Sequence, residues 1–346
     1  MKGFQRTFSD ILLLVVFLIL TALLFTIYTS TKSVPLRPVP YDFEESYTVE
    51  PVFNKVFVNK SQFDLRIIVI TYNRAASLLR LLKSINNAEY YSDKIKLEVW
   101  VDISKEGKKD NATINTAYEF EFKHGSYDVH VREKHAGIYG QWLTSWKPVK
   151  QSAEVSVILE DDLTVSPYFY KYLKLVHRKY DSHPEINGYA LQGVSIKHHV
   201  RDMSTLEGPP GSLVFLYPVL GTWGFSPVTD KWIGFLDWFY SLRNMSDVNP
   251  DIPNNIASEW YNMFLKEGKA DTMWEIWHIY HAWQNNLYTL YSNFPGHAGL
   301  SNSHREAGLH YGSSAGASNE LLEEWKREYD YLPDWPHHLD ISGKFS

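Results

Sequence analysis

Three consecutive carboxylates, Glu160-Asp161-Asp162, follow the apolar, β-branched run Val155-Ser156-Val157-Ile158-Leu159 and precede Leu163-Thr164-Val165. Acids crowded at the end of a buried strand repel one another and lose hydration, which is costly unless a cation sits among them. A hard divalent ion held by oxygens, with its other positions filled by phosphate, resolves that cost. A solvated turn whose acids cap the next helix is the competing use. Ser166-Pro167 already offers an N-cap and a first helical residue, which leaves the acids without that task. Other groups with chemical potential are the Thr71-Tyr72-Asn73-Arg74 turn, Asp102, and the second-half acids Asp271, Glu275 and Asp237. A glycine-framed polar loop between Gly296 and Gly312 adds His297, His304, Arg305, Glu306 and His310.

Positioning these groups requires strands that end in line. Arg66 to Ile70 reads as a buried strand, and Leu78, Leu79, Leu82 and Ile85 recur at helical spacing behind it. Strands are expected at Leu97–Val101, ending in Asp102, at Tyr127–Arg132, leading into His135-Ala136-Gly137, and at Val155–Leu159. Helices are expected around Ile138–Trp146 and from Ser166-Pro167 through Phe169, Tyr172, Leu173, Val176 and Tyr180. This alternation predicts an α/β fold, a Rossmann-like, mostly parallel sheet flanked by helices. Ligands of such sheets bind at the strand ends. The second half is less regular: a strand at Gly188–Gly193, the segment Gly221-Thr222-Trp223-Gly224-Phe225, and helices at Ile256–Leu265 and Met273–Leu287.

Composition narrows the class. The chain has 346 residues, a net charge of −6 and no basic run, which argues against nucleic acid as a partner. Twelve Trp and 23 Tyr suit sugar faces as well as cores. Ile11–Tyr28 is an uncharged apolar run just long enough to span a bilayer. It ends in Tyr28-Thr29-Ser30-Thr31-Lys32, a poor match to a small-x-small cleavage site, which favours an anchor over a signal peptide. The reading is a tail at 1–10, an anchor at 11–28, a Pro-punctuated stem at 29–63 and a catalytic domain at 64–346. Flanking positive charges are tied across the span. The sequons at Asn59, Asn111 and Asn244 permit a lumenal, glycosylated domain. With no cysteine, the fold must stand on its core alone.

Taken together, the strand, the Thr-Tyr-Asn-Arg turn, the strand ending in Asp102 and then Leu159-Glu160-Asp161-Asp162-Leu163 before Ser166-Pro167-Tyr168-Phe169 resemble the nucleotide-sugar glycosyltransferases of the GT-A fold. The acidic segment is most similar to that of the family that transfers N-acetylglucosamine to the mannose core of N-glycans. Downstream, Trp223-Gly224-Phe225, Asp271-Thr272-Met273-Trp274, Asn285-Asn286, Thr289-Leu290-Tyr291 and the Gly299–His310 segment resemble family 2-like enzymes. The resemblance covers roughly Asp64 to Gly312. It implies that Asp162 ligates Mn²⁺ or Mg²⁺, that Glu160 reaches the ribose or a metal-bound water, and that Asp161 supports the loop. It further implies that Thr71, Asn73, Arg74 and Asp102 hold the base and ribose, and that Gly137 and Gln141 approach the nucleotide sugar. His310 would meet the diphosphate or metal. Asp271 is the first choice for the base that deprotonates the acceptor hydroxyl, then Glu275, then Asp237; the related pattern has its Asp one residue closer to the Trp.

The resulting expectation is a single-pass type II Golgi membrane protein. Its lumenal domain would invert the anomeric centre of a UDP-sugar, with N-acetylglucosamine the favoured sugar and a glycan the acceptor. A homodimer is left open. Simpler uses exist for several groups: Asn73 as turn chemistry, Asp102 as a helix cap, Gly137 as a turn glycine and Asp271 as an acid at a helix N-terminus. A catalytically inactive carbohydrate-binding or scaffold protein on the same fold is the alternative. A metal-dependent hydrolase is a third, but His297, His304 and His310 lack an H-x-x-x-H spacing.

Overall fold

The computed structural model describes residues 62–150, 152–242, 248–306 and 316–345. The tail, the apolar run at 11–28, nearly all of the stem, the sequons at Asn59 and Asn244, and His310 lie outside these residues. No helix among the described residues is long and apolar enough to cross a membrane.

The first half builds four strands in alternation with helices: β1 (Leu65–Thr71), α1 (Ala75–Asn86), β2 (Ile95–Val101), α2 (Asn111–Glu119), β3 (Gly125–Val131), α3 (Gly137–Thr144) and β4 (Val155–Glu160). A short β5 (Leu163–Val165), α4 (Phe169–Tyr180) and β6 (Ile186–Ala190) follow. The second half adds β7 (Val214–Tyr217), β8 (Phe225–Pro227), α5 (Thr229–Ser241), α6 (Ile256–Lys266), α7 (Glu275–Gln284), β9 (Tyr288–Ser292), β10 (Ser301–Ser303) and β11 (His337–His338). Nine strands form one mixed, mostly parallel sheet in the order β11-β7-β9-β6-β8-β4-β1-β2-β3.

The apolar runs explain the centre. Leu65, Ile67, Ile68 and Val69 of β1 are fully buried, as a strand covered on both faces demands. On α1, Leu78, Leu81, Leu82 and Ile85 face the sheet, each contributing roughly 1.5–3 kcal/mol by burial, whereas Leu79, expected on this stripe, is 36% exposed and Leu81 takes its place. On α4, Phe169, Tyr172, Leu173, Val176 and Tyr180 do the same from the expected helical stripe. That helix starts later than Ser166-Pro167 suggested. The Ser166 hydroxyl donates to the Leu322 carbonyl and accepts from the Tyr168 N–H, so it anchors a turn before the helix rather than capping it.

Registers decide what stands at the sheet edge. β1 pairs in parallel with β2 from Leu65↔Ile95 to Thr71↔Val101, and with β4 from Leu65↔Val155 to Ile70↔Glu160. Thr71, Asp102 and Asp161 therefore emerge together at the carboxyl ends. The chain leaves β1 for β2 and β3 on one side and comes back as β4 on the other, which makes the β1/β4 boundary the switch point where open sheets bind ligands. Antiparallel pairing of β5 with β10, Leu163↔Ser303, brings residues 304–306 beside the acidic turn.

Differences from the sequence reading concentrate in the second half. The expected helix Met273–Leu287 is present as α7, two residues shorter at its start and three at its end, with a 3₁₀ turn at Ala270–Thr272 before it and β9 directly after. Asn286 adopts φ +52° at the break. Helix α2 and strands β7 and β11 carried no clear periodic signal.

Candidate active site

The acidic turn is built from β4 outward. Asp161, 2% exposed, accepts a 2.6 Å hydrogen bond from the Thr71 hydroxyl and an ion pair from Arg74 at 2.5 Å. The same guanidinium reaches Asp162 at 3.2 Å. Glu160 accepts from the indole N–H of Trp142 at 3.1 Å. Burial first, and then the charge of Asp162, holds the Glu160 carboxyl well above the ordinary glutamate value. Burial likewise pushes Asp161 up to about 6, against the opposing pull of Arg74 and Thr71. Burial works against the Arg74 charge, yet Asp161, Asp162 and Glu160 together outweigh it and keep its pKa above the usual value.

The ligand types of this turn suit a divalent cation, although Glu160, Asp161 and Asp162 do not bring three ligand atoms within 4.8 Å of one another. The donor set is all carboxylate oxygen, the kind that Mg²⁺ and Mn²⁺ prefer. Fully ionised, the three acids would outnumber their one guanidinium by two charges; burial instead keeps the proton on Glu160. Asp162 is the outermost, with its side chain 19% exposed. A different acidic group, Glu98, Asp128 and His130 on β2 and β3, has ligand atoms within 4.8 Å of one another. Its carboxylates pair with Arg66 and Lys96, and Arg66 is shared with Glu154.

The strand-end residues serve the frame. Both oxygens of Asp102 accept from backbone N–H groups, Ala136 and Gly137, at 2.8 Å each, so a carboxylate from β2 caps α3. Gly137 takes φ +62° at that junction, which favours glycine. His135 adds a contact to Asp102 at 3.2 Å and bonds the Ile103 carbonyl. Gln141 donates to the carbonyls of Thr71 and Trp100 and accepts from Arg132, using its amide within the protein. Asn73 is exposed beside the turn.

The second-half acids fall into two environments. Asp271, in the 3₁₀ turn, pairs with the exposed Lys105 at 3.1 Å. Glu275 opens α7, and burial pushes its carboxyl up to about 7. Asp237 is exposed on α5. Asn111 is exposed at the start of α2, although Thr113 of the same sequon is buried.

One neighbour of the acids, His304, stands in the sequence as part of the polar loop, with no role at the acidic turn assigned to it there. The His304 N–H donates to the Asp162 carbonyl at 2.9 Å, and its ring Nε2 lies 2.7 Å from the Thr164 hydroxyl. Two residues on, Glu306 pairs with Arg80 and bonds Ser77 of α1. The only sequence sign of this was the clustering of His304, Arg305 and Glu306; the β5–β10 pairing that brings them here joins segments some 140 residues apart.

No protein-family model matches the chain, and no curated protein matches it by sequence. Matching solved structures include residues 1–349 of TarS from S. aureus in complex with UDP-GlcNAc, at 11% identity over 68% of this chain and 60% of that one, TM-score 0.36. A mannosyltransferase from Pyrobaculum calidifontis in complex with GDP-Man and Mn²⁺ matches at 15% identity over 57% and 50%, TM-score 0.33. Mouse xyloside xylosyltransferase 1 matches at 9% identity over 67% and 85%, TM-score 0.36. The chain thus spans half to three fifths of the first two. At these scores the likeness carries no argument, and the fold stands on its own strand order and registers.

Proposed function

We propose that this chain is a metal-dependent, inverting glycosyltransferase of the GT-A type, using a UDP-sugar and a glycan acceptor. One observation carries the reading: an acid triplet with a single guanidinium partner, set at the switch point of a mostly parallel sheet. That is where an open α/β sheet receives a nucleotide. When bound, a divalent ion supplies Lewis-acid stabilisation of the departing diphosphate. Asp162, with Glu160 beside it, would hold that ion, while Asp161 keeps the turn in place through Thr71 and Arg74.

In the reaction, the acceptor hydroxyl oxygen bonds to the anomeric carbon as the carbon–phosphate-oxygen bond breaks. The electron pair leaves with the nucleoside diphosphate, and the hydroxyl proton passes to a carboxylate. Glu275 suits that base better than Asp271. A pKa of about 7 matches the working pH of a proton acceptor, whereas Asp271 is engaged with Lys105. N-acetylglucosamine as the donor sugar, a Golgi type II topology and a lumenal catalytic domain complete the proposal, supported by the acidic motif and by the apolar run at 11–28.

The test is calorimetry of the full chain with UDP and Mn²⁺, followed by a panel of nucleotide sugars with released nucleotide as the readout. Metal-dependent UDP binding that disappears in Asp162→Asn is expected. Absence of such binding in the parent protein would sink the transferase reading; binding without turnover across the panel would favour the inactive, carbohydrate-binding alternative.

A further inference from the structure

Helix α3 meets the ends of β1 and β2, Glu160 of the acidic turn and the segment from Ala270 to Trp277. Its first N–H is held by Asp102, and Gln141 ties it to the ends of β1 and β2. Three residues apart on its other face stand Tyr139 and Trp142, 4% and 0% exposed. The Trp142 indole N–H donates to Glu160 while its ring stacks on Trp274, with centroids 4.3 Å apart and planes at 21°. The Tyr139 hydroxyl lies 3.2 Å from the Ala270 carbonyl and 3.1 Å from that of Met273, and accepts from the Trp277 indole at 2.9 Å. Those partners bracket Asp271 and Glu275 on both sides in sequence.

We propose that Trp142 and Tyr139 are positioning residues that fix the second-half acids relative to the acidic turn. This rests on the transferase reading of the site. Trp142 acts on two sides at once. It holds one oxygen of Glu160 and, through an aromatic stack, the residue immediately before Glu275. Tyr139 acts on one side only, the segment from Ala270 to Trp277. Neither side chain reaches solvent, so neither touches a substrate. An ordinary core tyrosine would need one hydrogen-bond partner; three converge here on the segment that must stay in register with the acids.

The asymmetry gives the test. Trp142→Phe keeps an aromatic ring for the stack and removes the N–H to Glu160. Losing that hydrogen bond should weaken Mn²⁺-dependent UDP binding by about tenfold. Tyr139→Phe should leave UDP and Mn²⁺ binding at the parent value and lower kcat by about tenfold, with little change in donor KM. If both variants lower binding and kcat together, in step with a falling Tm, the two residues are merely structural and the proposal is overturned. Parent-like values in both overturn it as well. A substrate-free arm separates this from failure of the transferase reading: a thermal double-mutant cycle of Trp142→Phe with Glu160→Leu, which removes the hydrogen bond from either side, and a second of Trp142→Leu with Trp274→Leu, which removes the stack. Non-additive Tm changes in both cycles are expected; additive ones refute the link even if the parent protein binds no UDP.

Discussion

At the scale of single residues, Glu275 and Asp102 show how burial reassigns acids that look alike in sequence. Glu275 has its folded-state pKa raised to about 7, above the 4.5 of an unperturbed carboxyl, because the start of α7 desolvates it. Between those values the folded chain binds more protons than the unfolded one, so this residue's contribution to stability falls as pH rises. Glu275→Gln removes that slope. Its Tm relative to the parent should therefore become more favourable between pH 5 and pH 8, and a difference flat in pH would refute the assignment. If Glu275 is the base, parent activity climbs through about pH 7, and Glu275→Gln lowers kcat by about 10²–10⁴-fold while sparing UDP binding. Asp102 was legible as a strand-end acid, and its use as a cap was one of the two readings that sequence allows. What sequence could not show is that the two N–H groups it satisfies lie 34 and 35 residues further along the chain.

At the scale of elements, legibility followed periodicity. β1, β4, α1 and α4 each carry an unbroken apolar pattern, and their expected positions agree with the observed ones to within a residue or two. The three- and four-residue strands β7 and β8 offer too few side chains for any period to show. The acidic triplet was readable for the same reason as β4: a long apolar run ends abruptly in charge. His304 was not, because nothing local tells a loop histidine which strand end it will meet. Strand β6 makes its own prediction through Gly188. A Cβ there would meet the Phe225 ring at 2.4 and 2.7 Å and the Ser226 carbonyl at 2.9 Å, and Phe225 is fully buried. Gly188→Ala should destabilise the fold by about 1–3 kcal/mol, measured as a reduced denaturation midpoint at unchanged m-value. An unchanged midpoint would mean that β6 and β8 can separate at little cost.

For the whole molecule, the arrangement to weigh is the insertion of β8 between β4 and β6. Strand β1 is joined to β2 by seven register pairs and to β4 by six, whereas β8 joins β6 by three and β4 by a single pair, Ile158↔Phe225. Segments held by few backbone pairs open locally at lower free energy than long core strands. Native-state hydrogen exchange should thus show the amide of Leu191, bonded to the Gly224 carbonyl beside β8, opening at lower free energy than the amides of β1. Equal protection would indicate that the sheet opens as one unit. The consequence is a division of labour between seams. The acidic turn, carried by the long-paired strands β1 and β4, can stay formed while the carboxylates at 271–275 are out of place. Only when the short strand β8 locks would the chain become a catalyst, so a mutation at this seam could silence chemistry while leaving nucleotide capture intact.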